Sequence, residues 1–229
     1  MKMINFWNNI DYLRRINEKY INKLKHEYPQ KEFKRKKLEE KTIDKLHKLI
    51  EKEASETEIH KFLENNQQIW GHLLGVYNTA NHGFTVYSKQ EITPHIKEKN
   101  KGLIPDFIIG GENSDGWQWW IIEIKSPKDL IFSNAKGYLH FSDIANKGIC
   151  QLLEYVSISN KLQAHLRDHF GFKNFDNPKG ILLIGTEEEF KNKQKQNIKK
   201  AFNDLMSKQF EIRTFSWLVR EIELRKDHP

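Results

Sequence analysis

LIPDFIIGGENSDGWQWWIIEIKSP, residues 103–127, is the stretch on which the reading of this chain turns. It holds two runs rich in Ile, Phe and Trp, the residue types that favour strands. Between them lies a Gly- and Asn-bearing linker, 110–116, that suits a hairpin-like connection. Strands are expected over 103–109 and 117–125, with Gly110-Gly111 as a turn. Side chains two apart on a strand share a face, so Glu123 and Lys125 point the same way. Around them stand Trp119, Trp120, Ile121, Ile122 and Ile124. A carboxylate and an ammonium ending so apolar a strand need a reason, because burying unpaired charge is costly. Pro105 suits a strand start, and Asp106 follows it directly. If the two strands are neighbours, Asp106 and Glu123 meet at one end of the sheet.

Two carboxylates brought together repel, and a divalent cation resolves the repulsion. Oxygen ligands with no Cys nearby suit Mg²⁺ or Mn²⁺ rather than a structural zinc. The carbonyl of Ile124 is a candidate further ligand. Such a metal polarises a phosphate oxygen and acidifies a bound water. Lys125, on the same face, orients the water or stabilises charge developing in the transition state. The bland alternative is an ion pair between Glu123 and Lys125.

The flanking sequence alternates between helix and strand. Ser55-Glu56-Thr57-Glu58 is a capping box opening a helix over 55–68, with Ile59, Phe62, Leu63 and Ile69 as its apolar stripe and Gly71 and Gly75 as interruptions. A strand is expected near 84–91. After the 117–125 strand comes an irregular stretch over 126–138. Helices follow over 142–160 and 162–169, then a buried strand over 180–185. A Lys-rich helix over 187–207, a strand over 211–214 and a final helix over 216–225 complete the chain. Helix, three strands, helix, strand gives an α/β core whose mixed sheet is covered by helices on both faces.

The 229 residues suffice for one domain with a sizeable core. Apolar residues make up 38% and charged residues 30%, yet 14 Phe and 6 Trp argue against disorder. No apolar run approaches the roughly 18–20 residues of a membrane span, and the first residues carry no apolar signal core. The single Cys150 excludes a disulfide scaffold and a Cys-based zinc site. Cytoplasm is the expected compartment. The net charge of +7 is unevenly spread: residues 1–53 hold 15 Lys/Arg against 9 Asp/Glu, and residues 54–229 hold 23 against 22. Residues 1–53 are therefore set apart as a basic helical region and 54–229 as the domain carrying the chemistry. The first region reads as two helices, one bearing Trp7, Ile10, Leu13, Tyr20 and Leu24, the other Ile43, Leu46, Leu49 and Ile50. The basic run Lys34-Arg35-Lys36-Lys37 lies between them, as a phosphate-binding arm or simply a solvated face.

Pro-Asp, sixteen residues, then Glu-x-Lys resembles the PD-(D/E)xK nuclease superfamily, and the order of elements resembles its restriction-endonuclease-like core. Gln151 and Tyr155, four apart on one helix face, resemble the Q-x-x-x-Y element of RecB-type members, which implies that Gln151 holds substrate or Lys125 and that Tyr155 lies beside the substrate. Many members carry a further metal-binding Glu on the helix before the three strands. Glu58 is the candidate, standing equally as the capping partner of Ser55; Glu56 and Glu64 are less favoured. The wider run SETEIHKFLENNQQIWG, LIPDFIIGG, WWIIEIKSPKDLIF and ICQLLEY, over about 55–159, resembles the Shedu antiphage-defence family. That resemblance implies a metal-dependent DNA endonuclease or nickase, with DNA as partner, a homo-oligomeric state and a role against phage or plasmids. Rival readings are a non-cleaving nucleic-acid-binding or assembly module on the same fold, and a nuclease for branched DNA.

Other residues add less. The histidines lack H-E-x-x-H or H-x-H spacing, and most are expected at the surface or locally bonded, with His60 of interest for its closeness to Glu58. Trp117, Trp119 and Trp120 are expected in the core rather than on bases. No phosphate-cradling glycine loop is present, so NTP use is not expected.

Overall fold

A computed structural model describes residues 32–93, 102–135, 137–207 and 209–227. The helix expected around Trp7–Leu24 lies outside the described residues. In chain order the elements are β1 (Glu32–Phe33), α1 (Glu40–Glu51), α2 (Glu56–Asn65), α3 (Gln68–Gly75), β2 (Gly83–Ser88), β3 (Phe107–Asn113) and β4 (Gly116–Ile124). There follow β5 (Phe132–Ala135), β6 (Tyr138–Phe141), α4 (Asp143–Lys161), α5 (Gln163–Phe170), β7 (Lys179–Leu183), a 3₁₀ turn (Glu187–Lys191), α6 (Lys193–Leu205), β8 (Phe210–Arg213) and α7 (Phe215–Arg225).

Six strands form one mixed sheet in the order β1-β2-β3-β4-β7-β8. The pairings from β1 to β4 are antiparallel, and β7 and β8 run parallel to β4. The crossover from β4 to its parallel neighbour β7 carries α4, as parallel pairing demands. Alternate residues then face two cores. Phe107, Ile109, Trp120, Ile122, Ile181 and Leu183 join the side chains of α1, α2, α3 and α7. Ile108, Trp119, Ile121, Leu182 and Ile212 join those of α4 and α5. The α/β core with a mixed, helix-covered sheet is thus as the sequence implies. No helix among the described residues is long and apolar enough to cross a membrane.

Several boundaries differ from the sequence expectation, each for a physical reason. Gly110 and Gly111 are strand residues, opposite Trp119 and Gln118, and not a turn. The turn is Ser114-Asp115, where the Asp115 N–H donates to Asn113 Oδ1 (2.9 Å) and Gly116 takes a φ of 99°. A Cβ on Gly110 would stand 2.8 Å from the Trp119 ring, so the missing side chain lets the indole lie across the sheet. Gly71 likewise does not break its helix: it sits within α3, where a Cβ would fall 2.7 Å from Phe84. The helix expected over 55–68 is α2, which ends at Asn65; Ile69 of its expected stripe belongs to the separate α3. The Lys-rich helix begins only at Lys193, because Asn192 caps it through the N–H groups of Gln194 and Lys195. The stretch read as irregular contains the hairpin β5–β6, held by the stacked Phe132 and Phe141 rings. The segment bearing Lys34–Lys37 is preceded by the edge strand β1.

The segment 32–53 is packed into the body of the fold. Leu38, Ile43 and Leu46 are buried in the same core as Trp217 and Leu218 of α7. The Leu38 N–H donates to the Lys226 carbonyl (3.1 Å).

Candidate active site

The register of the sheet places the acidic residues. Phe107 pairs with Ile122, and Ser88 pairs with Phe107. One step further along the same register, Asp106 falls opposite Glu123 and Lys89 falls opposite Asp106. Adjacent strands run about 4.8 Å apart, so the three side chains form a row across one end of the sheet. Lys125, two residues beyond Glu123, rises from the same face towards α4.

Both carboxylates are buried, Asp106 at 3% exposure and Glu123 at 4%. The backbone N–H of Ile124 donates to Asp106 Oδ2 (2.7 Å), and the Lys89 ammonium pairs with the other carboxylate oxygen. Lys125 Nζ donates to Glu123 Oε1 (2.7 Å) and to Gln151 Oε1 (3.3 Å). Burial, then the charge of Asp106, push the Glu123 carboxyl up to about 7 against the opposing pull of Lys125. Burial acts against the charge of Lys125. Glu123, Glu56 and Asp106 outweigh it and hold the ammonium above the ordinary lysine value.

Each side chain is carried there by a local feature. Asp106 closes the segment entering β3, and its own carbonyl accepts from the Lys89 backbone N–H (3.0 Å). Lys125 leaves the end of β4, its N–H donating to the Leu183 carbonyl (2.8 Å). Beyond it the Ser126 hydroxyl donates to the Ala54 carbonyl (2.7 Å), which ties the strand end to the start of α2. On α4, Gly148 leaves room: a Cβ there would approach Leu182 at 2.7 Å and the Lys125 side chain at 3.4 Å. One turn on, Gln151 meets Lys125. A further turn brings Tyr155, whose hydroxyl donates to the Ile104 carbonyl (3.3 Å). Burial, then the charges of Glu123 and Asp106, raise Tyr155 to about 12.

The structure thus gathers Asp106, Glu123, Lys125, Gln151 and Tyr155. Glu58 is placed otherwise. Its carboxylate completes the capping box, accepting from the Ser55 N–H (3.0 Å), and pairs with Lys52 (2.8 Å). The Lys52 hydrogen bond, then the Ser55 N–H, hold its carboxyl down at about 2. From the same helix it is Glu56 that approaches Lys125, at 3.8 Å.

One neighbour, Lys89, escaped sequence reasoning, and another, Glu56, was only a less favoured candidate. Lys89 carries a positive φ of 50°, a conformation that L residues rarely adopt, and its pairing with Asp106 depends on a strand register no local pattern announces. Glu56 was overshadowed by its capping neighbour. His60, singled out by its closeness to Glu58, instead stacks on Phe107 with ring centroids 4.7 Å apart; its Nε2 lies 3.4 Å from the Asp106 carbonyl. His72 is fully buried, not at the surface, with Nε2 2.8 Å from the Lys36 carbonyl. Trp119 and Trp120 lie in the core as expected, whereas Trp117 is only half-buried against it.

The donor set suits a hard divalent cation: two buried carboxylates face one another, with the Ile124 carbonyl adjoining Glu123 in the chain. No group of three His, Cys, Asp or Glu positioned to hold a metal occurs among the described residues. Two carboxylates suffice for Mg²⁺, which retains several waters and takes further oxygens from substrate phosphate. No curated protein matches this sequence. The model of the Shedu protein SduA C-terminal family matches residues 53–219, a span that includes every residue of this site, and the chain belongs to that family.

Proposed function

We propose that this protein is a metal-dependent DNA endonuclease or nickase, hydrolysing phosphodiester bonds in defence against phage or plasmids. The observation that carries the reading is the Asp106–Glu123 juxtaposition, with Lys125 on the same face and Gln151 bonded to its amine. A Mg²⁺ or Mn²⁺ held by Asp106 and Glu123, with the Ile124 carbonyl, supplies a polarised phosphate and a more acidic water. Glu58 remains a candidate further ligand only if it leaves its cap, and Glu56 is the nearer carboxylate. Lys125 offers donors to the attacking water or to the phosphate oxygens as they gain charge. Gln151 fixes the direction of that amine, and Tyr155 closes the side of the site towards α4. The buried acidic pair also gives a cation its place: Lys89 and Lys125 do no more than neutralise the two carboxylates, and a divalent cation between those carboxylates would add the positive charge that attracts a phosphate.

The experiment is nicking and linearisation of supercoiled DNA with Mg²⁺ or Mn²⁺, with chelator as control. Wild type is compared with Glu123→Ala and Lys125→Ala. Wild-type cleavage that chelator abolishes, and that both substitutions reduce by about a hundredfold or more, is the expected result. Equal activity in all three proteins, or activity indifferent to chelator, rules the reading out. Gel filtration of the same samples tests the self-association that family likeness suggests.

A further inference from the structure

A second polar cleft lies apart from Asp106 and Glu123. It has a volume of about 880 Å³ and is bounded by the 3₁₀ turn after β7, by α6, by the end of β8 and by α7. Its wall carries six cations against three carboxylates. Five of the cations have partners. Arg213 pairs with Glu211 (2.7 Å) and Arg220 with Glu187 (2.7 Å). At the rim, Lys200 pairs with Asp204 (2.8 Å), Lys191 with Glu188, and Lys193 with the Gln196 amide (2.7 Å).

Lys199 differs. Its ammonium stands over the Phe190 ring, 5.1 Å from the centroid, and makes no hydrogen bond or ion pair among the described residues. Only partly exposed, it is flanked by the positive charges of Arg213 and Arg220. Burial first, and Arg213 next, depress its pKa to about 8. Glu187 and Glu211 act on Lys199 only from a distance, each being ion-paired to one of the two guanidinium groups, so the recessed ammonium has no carboxylate in direct contact. With Glu188 counted as the partner of Lys191, six cations stand against four carboxylates, and a surplus of positive charge around a recess favours a multiply charged anion over a single carboxylate. The interspersed Glu187, Glu211 and Asp204 interrupt any continuous basic track, which suits a compact anionic end group rather than a run of nucleic-acid backbone.

We infer that Lys199, with the outer edges of Arg213 and Arg220, forms a binding site for a terminal phosphate or pyrophosphate group, separate from the Asp106–Glu123 centre. The site stands independently of the proposed nuclease activity.

The test uses the full chain without divalent cations. Lysine acylation is followed residue by residue by peptide mass spectrometry, near pH 7. A phosphate dianion close to Lys199 raises its pKa by about 1–3 units and so slows its modification by about tenfold or more. Probes are pyrophosphate, a 5′-phosphorylated oligonucleotide and the same strand with a 5′-hydroxyl. Slowing by pyrophosphate at Lys199, with ion-paired Lys200 unaffected, is expected and assigns a free anion. Slowing only by the 5′-phosphorylated strand assigns a strand end and equally upholds the site. No slowing at Lys199, equal slowing by both strands without pyrophosphate protection, or equal slowing at Lys200 overturns the assignment. Lys199→Gln provides a second measure. It is expected to keep its melting temperature and lose the upward shift that the effective probe gives the wild type; a retained shift also overturns the inference.

Discussion

Asp106 and Glu123 face each other across β3 and β4, one residue beyond the Phe107–Ile122 pair, with both carboxylates inside the protein. Burial first, and the like charge of Asp106 next, displace the Glu123 carboxyl upward, so the ionised form is held at a cost in the folded protein. Lys89 and Lys125 each neutralise one carboxylate. Sites that bind cations commonly carry such a cost in the metal-free state.

Glu123→Gln removes one of the two repelling charges while keeping shape and hydrogen-bonding capacity. In metal-free protein at pH 8, where the wild-type carboxyl is mostly ionised, the substitution is expected to stabilise. A gain of about 1 kcal/mol corresponds to a rise of about 2–4 °C in melting temperature. The same protein is expected to show no Mg²⁺-dependent cleavage. Calorimetry and the nicking assay decide; a lower melting temperature for Glu123→Gln would show that the pair is stabilising as it stands.

The site was more legible in the sequence than the fold's details, because it follows from period-two arithmetic on two strands. Parity puts Glu123 and Lys125 on one face whatever the neighbours are, and Pro105 marks where Asp106 enters. The register that brings Lys89 to Asp106 involves strands separated by residues 89–106, and nothing local encodes it. Gly110-Gly111 resembled a turn because glycine punctuates loops. What it permits here is the approach of Trp119 and Thr79 to the backbone, a tertiary cause invisible to local propensity. The hairpin β5–β6 was hidden for a related reason: SNAKGYLHF has little alternation, and its pairing rests on Phe132, Phe141 and the helix behind them.

Gly110→Ala tests that tertiary cause. The new methyl would meet the face of Trp119, which has little room to retreat. Its ring stacks on Phe172 at 5.1 Å, and its Nε1–H donates to the Lys173 carbonyl (3.0 Å). Overpacking of this kind costs about 1–3 kcal/mol. In the background Trp119→Leu the same glycine substitution should cost much less, giving a double-mutant coupling above about 0.5 kcal/mol. Additive losses in urea unfolding would mean that Gly110 is not there for the indole.

Glu58 and Glu56 are separated by pH and by activity. The Glu58 carboxyl lies at about 2 in the folded protein, below its ordinary value of 4.5, so the folded state holds the ionised form more strongly. Its contribution is present above pH 4.5 and is lost as pH falls towards 2. The stability difference between wild type and Glu58→Ala should therefore shrink steadily across that window. Ser55→Ala, which removes the other half of the box, should cost about 1 kcal/mol. Cleavage at neutral pH should respond more to Glu56→Gln, whose carboxylate approaches Lys125, than to Glu58→Gln. A larger activity loss in Glu58→Gln, with stability unchanged, would make Glu58 a ligand that leaves its cap when metal binds.

Truncation distinguishes the basic segment from the structural one. A chain beginning at residue 32 keeps every described contact and should retain cooperative melting, near-ultraviolet circular dichroism and the proposed DNA nicking. A chain beginning at residue 54 matches the family model almost from its first residue, yet lacks Leu38, Ile43 and Leu46, which cover Trp217 and Leu218. Each buried aliphatic side chain contributes about 1.5–3 kcal/mol, so the three together approach the roughly 5–15 kcal/mol by which a domain is stable. The shorter chain is expected to lose near-ultraviolet dichroism and to melt without a sharp transition. Leu46→Ala in the full chain, with an expected loss of about 2–5 kcal/mol, is the milder version of the same test. A residue 54–229 fragment that melts as sharply as the full chain would show that α1 is an attachment to the α/β fold rather than part of its core.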